Sequence, residues 1–354
     1  MTSFSPADET VYLRYTRLLA GGGDYARVVR MFLDDRGMWV FPNPLRWSYL
    51  GATTLLCRIG GDCTYRTLAA LSTVAGIAAV ALTYCIGLRL FERTTALFAA
   101  ALVATSPLQL ALGRRALSDE FFCAVVLASI VAMLPIARPS PGPFASLSGH
   151  PLPLRGRGAL AAWVVITTLA FGAKEQFVFI YPVVLLFWWL RERRLRWEWL
   201  LPPCLFYAVF CLLARDLTSF FRIAHIITSM MNAPYAAQYQ SGPPHRLLID
   251  FLAVAPLVTI AFFIAAYVRL REPLLVLAAG ILIVHSLLSS KNLRYVVSAD
   301  PFMRLLVASA FPRKWFVAIN AAVELALFYI IFVANNVYDP VTDELLRALH
   351  ILPM

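Results

Sequence analysis

The sequence predicts an all-α, polytopic integral membrane protein with about ten transmembrane helices, and three observations lead there. First, 60% of the 354 residues are hydrophobic and 14% are charged, against about 45–50% and about 25% in soluble domains. No water-soluble fold of this size hides that surplus. Second, stretch after stretch approaches the roughly 20 apolar residues that carry a helix across the hydrocarbon core, where every backbone polar group must be bonded within the helix. Third, the Lys and Arg behind the net charge of +11 sit in turns between apolar stretches. There they orient a membrane protein, and we expect no nucleic-acid partner.

Residues 1–65 are mixed and charged, with no signal peptide and no opening transmembrane helix. They read as an external loop carrying interfacial helices. Asp24 is placed to cap a short amphipathic helix over 25–33, with Val28, Val29, Met31 and Phe32 on its apolar side. The stretch 44–58 begins with Pro44, suited to a first helical turn, and carries Trp47 and Tyr49 at interfacial depth, but it is too short to span.

The membrane bundle follows over 66–335. Its predicted segments are 66–88, 94–112, 116–136, 159–173, 176–190, 197–214, 246–268, 273–288, 299–311 and 315–335. The stretch 138–158, rich in Pro, Gly and Ser, reads as an irregular cytoplasmic loop. The connection 215–245, with Tyr235 and Tyr239, is the longest external one and reads equally as a lid or as a plain linker. Residues 336–354 form an external tail, and the whole chain reads as one membrane-embedded domain.

If 66–88 runs inward, Arg89, Arg93, Arg138, Arg155, Arg191, Arg193, Arg269, Arg271, Arg313 and Lys314 all fall inside, a clear inside bias. This places the chain in the cytoplasmic membrane with its functional face outward. Most acids, among them Asp8, Glu9, Asp119, Glu120, Glu175, Asp250 and Asp300, then lie at or near the outer face. Cys57 and Cys63 are both external, and whether they pair is left open by their spacing. The five histidines are scattered, with no metal-ligand spacing.

Three places put charges at the outer ends of apolar helices, where an unpaired charge is expensive and marks a candidate site. The first is ADETVYLRY, with Asp8, Glu9, Tyr12 and Arg14; a helix start that favours acids explains it equally well. The second is GRRALSDEFF, where Arg114 and Arg115 precede Asp119 and Glu120; capping by Ser118 or Asp119 is its plain account. The third joins Lys174 and Glu175, between two apolar segments, to Lys291, Arg294 and Tyr295 in SSKNLRYVV. Snorkelling explains one lysine, and explains a Lys–Glu pair less well. No Gly-rich phosphate loop is present, because Gly21, Gly22 and Gly23 lack the frame. A donor carried by a lipid needs none: its tail enters from the bilayer while its phosphate meets Arg and Lys at the outer face.

The order of these motifs resembles the membrane-embedded C-type glycosyltransferases, the superfamily of the protein O-mannosyltransferases and the lipid A aminoarabinose transferase. The resemblance is carried by DE at Asp8 and Glu9, PNPLRWSYL at 42–50, the helix 65–91, TSPLQLALGRRALSDEFF ending at Phe122, KEQFVFIYP at 174–182 and NLRYVVSADP at 292–301. It covers most of the chain. It implies a polyprenyl-phosphate sugar donor, a lipid, glycan or protein acceptor, and a single displacement that inverts the anomeric centre. It also implies that Asp8 is the catalytic base, with Glu9 as its partner and Asp119 lining the same cavity. An aspartate is ordinarily ionised at neutral pH and so can accept a proton. For the leaving phosphate the cations in view are Arg46, Arg114, Lys174, Lys291 and Arg294, with Glu175 and Tyr295 beside them.

Two departures accompany the resemblance. Relatives carry a membrane helix before the first-loop acids, whereas seven residues precede Asp8 here, so a preceding helix is expected to be missing from the chain. Relatives also often have a Lys where this sequence has Asn43, for which Arg46 is the substitute. In some branches Asp8 and Asp119 would share a divalent ion; we expect no cofactor and no metal here. The alternatives from other classes are a transporter or flippase of a lipid-linked glycan, and an inactive scaffold relative.

Overall fold

The computed structural model describes residues 7–134, 157–194, 196–230, 241–338 and 340–352. Among these residues all regular structure is helical, and the chain is an all-α polytopic membrane protein. The expected loop at 138–158, Arg138, Arg155, Tyr235 and Tyr239 lie wholly or mostly outside the described residues.

Two short helices open the chain, α1 (Ala7–Ala20) and α2 (Tyr25–Asp34). Asp24 caps α2 as expected, its carboxylate accepting from the Ala26 N–H at 3.2 Å, and the apolar side of α2 is buried. The helix α3 (Trp47–Gly60) starts later than the sequence suggested. Pro44 lies ahead of it, lending its carbonyl to the Tyr25 hydroxyl, and Arg46 stands at the N-cap. At 1.5 Å per residue, 14 residues reach about 21 Å, short of a bilayer core of about 30 Å. Gly61 ends α3 in the left-handed conformation, and Cys57 and Cys63 are joined by a disulfide across the turn that follows.

The predicted membrane segments all fall on helical structure with ends shifted by up to four residues, the last one counting the π-helical turn Tyr329–Ala334 that continues α16. They are α4 (Tyr65–Leu90), α5 (Arg93–Ala104) with α6 (Pro107–Gly113), α7 (Ser118–Met133), α8 (Arg157–Ala173), α9 (Phe177–Glu192), α10 (Leu201–Ala214), α12 (Arg246–Val254) with α13 (Pro256–Val268), α14 (Leu274–Leu287), α15 (Ala299–Ala310) and α16 (Lys314–Phe328). Among the described residues three helical runs, Tyr65–Leu90, Trp197–Ala214 and Lys314–Ala334, are singly long and apolar enough to span. Taken together α5 and α6, bent by 57°, meet the same length and polarity. The bend follows from Ser106 and Pro107: the proline cannot continue the α5 ladder, and the Ser106 hydroxyl caps the new helix at Gln109.

The connection 215–245 is not structureless, since Ser219–Met230 forms a helix, α11, packed on α10 and α2. After α16 a π-helical turn, Tyr329–Ala334, leads to the last helix, α17 (Thr342–Ala348), which lies against α12.

The core gathers around α7 and α15. The first packs on α4 and α8, the second on α5, α13 and α14, and residues 299–309 of α15 are all buried. Polarity is inverted relative to a soluble protein. Leu212, Tyr267 and Leu287 stand in the open, while Asp119, Glu120, Lys174, Arg304 and Glu324 are buried. That arrangement suits lipid as the surrounding solvent.

One buried group was hidden from the sequence reading. Arg304 donates to Asp300 at 2.8 Å and, through two nitrogens, to Glu324 at 2.8 and 2.9 Å, and also reaches the Leu102 carbonyl. Asp300 accepts a further bond from Ser106 at 2.8 Å. Asp300, expected at or near the outer face, is therefore buried within the bundle, and the Glu324 that the sequence showed is joined there by Arg304 and Asp300 in an ion triad.

Candidate active site

Four separate stretches of chain meet beside α1. Asp8 is in its first turn, and Tyr12 lies one turn further along the same side. Arg46 comes from the N-cap of α3, Asp119 from the first turn of α7, Lys174 and Glu175 from the break between α8 and α9, and Arg294 from the short turn Leu293–Val296. The break between α8 and α9 leaves Lys174 and Glu175 outside either helix, so both side chains can turn inward.

Arg294 joins the two acids that the motif order had singled out. Its Nη2 lies 3.2 Å from Asp8 Oδ2 and 3.4 Å from Asp119 Oδ2. The other oxygen of Asp119 takes the Lys174 ammonium, which also lies 5.1 Å from the centre of the Tyr295 ring. Asp119 does not cap α7; the N-cap is Leu117, and the carboxylate is committed to two cations. Asp119 and Lys174 are almost fully buried, whereas Asp8 keeps 29% of its side chain open. The exposed member of the trio is thus the one free to exchange partners.

A second pair stands next to the first. Arg46 grips Glu175 with two bonds, Nε to Oε2 at 2.7 Å and Nη2 to Oε1 at 2.6 Å, and gives Nη1 to the Tyr12 hydroxyl. Tyr12 in turn bonds the Ser118 hydroxyl at 2.9 Å, beside Asp119 in the chain. Burial opposes the charge on Glu175, yet the Arg46 guanidinium holds its carboxyl down to about 2. The Tyr12 hydroxyl is pushed up to about 12 by burial. Arg46 is therefore matched by a carboxylate of its own.

The remaining candidates have other attachments. Glu9 accepts from the Ala116 N–H at 3.2 Å, and its carboxyl is raised by burial against the pull of Arg115. Arg114 donates to the Phe332 carbonyl and lies over the Phe328 ring, so it is tied to the last membrane segment. Lys291 donates to the Leu288 carbonyl at 2.8 Å. Among the described residues no three His, Cys, Asp or Glu converge as metal ligands. Between Asp8 and Asp119 lies the Arg294 guanidinium.

Several contributors were named with their motifs but given no role, and Tyr338 was not named at all. Tyr12 was noticed with its motif but given no role, although its i+4 offset from Asp8 was a usable signal. Arg115 donates to the Val337 carbonyl at 3.0 Å and sits 4.2 Å from the centre of the Tyr338 ring, which also lies 6.0 Å from Arg294. The tail thus folds back over the cluster, which nothing in its sequence announced. Glu120 is fully buried with neither oxygen hydrogen-bonded, and faces Gly76 of α4, where an added Cβ would stand 3.7 Å from its Oε2.

Comparison with known proteins follows the same lines. Residues 48–142 match the model of the dolichyl-phosphate-mannose-protein mannosyltransferase family. No curated protein matches the chain. Among solved structures, ArnT from Cupriavidus metallidurans in the apo state is similar with a TM-score of 0.53, at 18% identity over 87% of this chain and 60% of that one. The same protein bound to undecaprenyl phosphate gives a TM-score of 0.53 at 17% identity, over 93% of this chain and 64% of that one. The chain thus spans less than two thirds of the ArnT structures it matches, and the likeness at this identity is one of fold. In its fold, and in the family match over 48–142, the chain is similar to the membrane-embedded C-type glycosyltransferase superfamily, as the order of its motifs implied.

Proposed function

We propose that the protein is a glycosyltransferase that moves a sugar from a polyprenyl phosphate to an acceptor at the outer face of the cytoplasmic membrane, inverting the anomeric centre. The observation that carries this reading is the Arg294 guanidinium shared between Asp8 and Asp119, with Lys174 on the far side of Asp119. Two cations and two acids at the ends of membrane helices suit a reaction that removes a proton and releases a phosphate. That a protein of the same fold is seen with undecaprenyl phosphate agrees with the donor class.

In this reading the donor phosphate competes with Asp8 for Arg294. Asp119 remains paired with Lys174, and Asp8, the more exposed carboxylate, turns to the acceptor. The acceptor's nucleophilic group gives its proton to Asp8 and attacks the anomeric carbon. The bond from that carbon to the phosphate oxygen breaks, and polyprenyl phosphate departs with the electron pair. Arg294 and Lys174 stabilise the negative charge that grows on it. Arg46 and Glu175 hold Tyr12 and the start of α3 in place. A transporter would need polar groups deep in the bundle available to cargo, whereas Asp300, Arg304 and Glu324 satisfy one another there.

The test is sugar transfer by the full chain in proteoliposomes supplied with radiolabelled polyprenyl-phosphate sugars. Asp8→Asn should lower the rate about 10²–10⁴-fold, the usual contribution of a positioned base. Transfer by Asp8→Asn at the parental rate would remove Asp8 from the role of base, and no transfer by the parent with any such donor would favour the scaffold.

A further inference from the structure

A groove of about 610 Å³ lies away from the Asp8–Asp119 cluster, between α3, the end of α10 and the turn joining α1 to α2. Its volume is within the range of about 300–1,000 Å³ typical of ligand sites. Its walls are Trp47, Leu55, Leu212 and Leu213, and Leu55 and Leu212 stand 60% and 78% exposed. Gly51 widens it: an added Cβ there would touch nothing within 4 Å.

Two arginines edge this apolar slot. Arg58 gives one N–H to the Leu19 carbonyl at 2.8 Å, which fixes the side chain and leaves the rest of its guanidinium for another acceptor. Arg215 follows the last residue of α10 and pairs with Asp24 at 3.1 Å, with both side chains well exposed. Such an open pair contributes about 0–1 kcal/mol and exchanges readily. Two guanidinium groups against one carboxylate leave a single positive charge, which one phosphodiester would neutralise.

We propose that this groove binds an anionic glycerophospholipid of the surrounding leaflet, its phosphodiester between Arg58 and Arg215 and one acyl chain along Leu55 and Leu212. A free polyprenyl phosphate fits less well, because a phosphomonoester carries about −1.5 to −2 charges at neutral pH; a polyprenyl-phosphate sugar is itself a singly charged phosphodiester, and competition against it distinguishes the two. Nor can one phosphate serve both Arg58 with Arg215 and Lys174 with Arg294. The inference does not depend on the transfer reaction, since no residue of the groove is in the Asp8–Asp119 cluster.

Native mass spectrometry of the full chain titrated with phosphatidylglycerol tests it. The parent should hold a first phosphatidylglycerol saturably, and phosphatidylcholine at least fivefold more weakly. The Arg58→Gln/Arg215→Gln variant should weaken phosphatidylglycerol at least tenfold by removing charge. Gly51→Leu should do the same by filling the slot while both arginines remain. Unchanged binding by either variant, equal binding of the two phospholipids, or displacement of phosphatidylglycerol by an equal amount of undecaprenyl phosphate or of a polyprenyl-phosphate sugar would each overturn the proposal.

Discussion

Asp8 and Arg294 are 286 residues apart in the chain and meet through a 3.2 Å ion pair that Arg294 also extends to Asp119. Replacing Arg294 therefore removes a partner from both acids. Arg294→Gln should reduce sugar transfer about 10²–10³-fold, the usual loss when one stabilising donor to a developing anion is removed. Arg294→Lys should recover little, since an ammonium lacks the planar fork that spans two carboxylates. Initial rates in proteoliposomes measure both.

The Arg46–Glu175 pair is largely buried and doubly bonded, so truncating either member strands the other. Arg46→Ala should destabilise the protein by about 3–5 kcal/mol, while Arg46→Ala/Glu175→Ala should cost much less than the sum of the single changes. Denaturation of the detergent-solubilised chain reads this. The sign with pH also follows. The folded carboxyl of Glu175, at about 2, lies below its ordinary 4.5, so its stabilisation is complete above about 4.5 and fades as pH falls through about 2. Arg46→Ala should flatten that acid limb.

The triad inside the bundle predicts the same asymmetry on a different scale of burial. Glu324→Ala leaves Arg304 short of charge in a site closed to water, and should lower stability by about 3–5 kcal/mol. Replacing all three of Asp300, Arg304 and Glu324 with apolar residues of similar volume should cost less than that single change. Unfolding temperatures of the two variants decide it.

Tyr338 lies over Arg115 and Arg294 from the tail. An aromatic face beside a cation contributes about 0.5–2 kcal/mol, so Tyr338→Ala should slow transfer about two- to thirtyfold. Tyr338→Phe keeps the ring and should retain most of the rate. Steady-state kinetics of the two variants separate ring from hydroxyl.

What the sequence disclosed follows the range over which its signals act. Apolar runs and turn chemistry are local, so the membrane helices emerged at nearly their true ends, and Asp24 was found as a cap. The bend at Ser106 was missed because both halves are equally apolar and the run reads as one segment. The acids and cations of the site were legible as charges where charge is costly, and their motif order grouped Asp8 with Asp119. Their pairing was not legible, because packing alone decides that Glu175 takes Arg46 across 129 positions. Arg304 stayed unseen although Asp300 lies one turn before it on α15, because a single guanidinium barely changes the mean polarity of an apolar segment; its other partner, Glu324, comes from α16 and is set by packing alone.

The short helix α6 now takes on a mechanical meaning. Its seven residues form a strut about 10 Å long. Ser106, at one end, is anchored to Asp300 of the buried triad. At the other end begins the turn that carries Arg114, Arg115 and the Ala116 N–H held by Glu9. A rigid rod with one foot in the buried triad and the other at the turn beside α1 couples the position of one to the other. The triad acts as its footing, so a change of volume or charge there bears, through α6, on the Arg114–Ala116 turn and the Glu9 it holds.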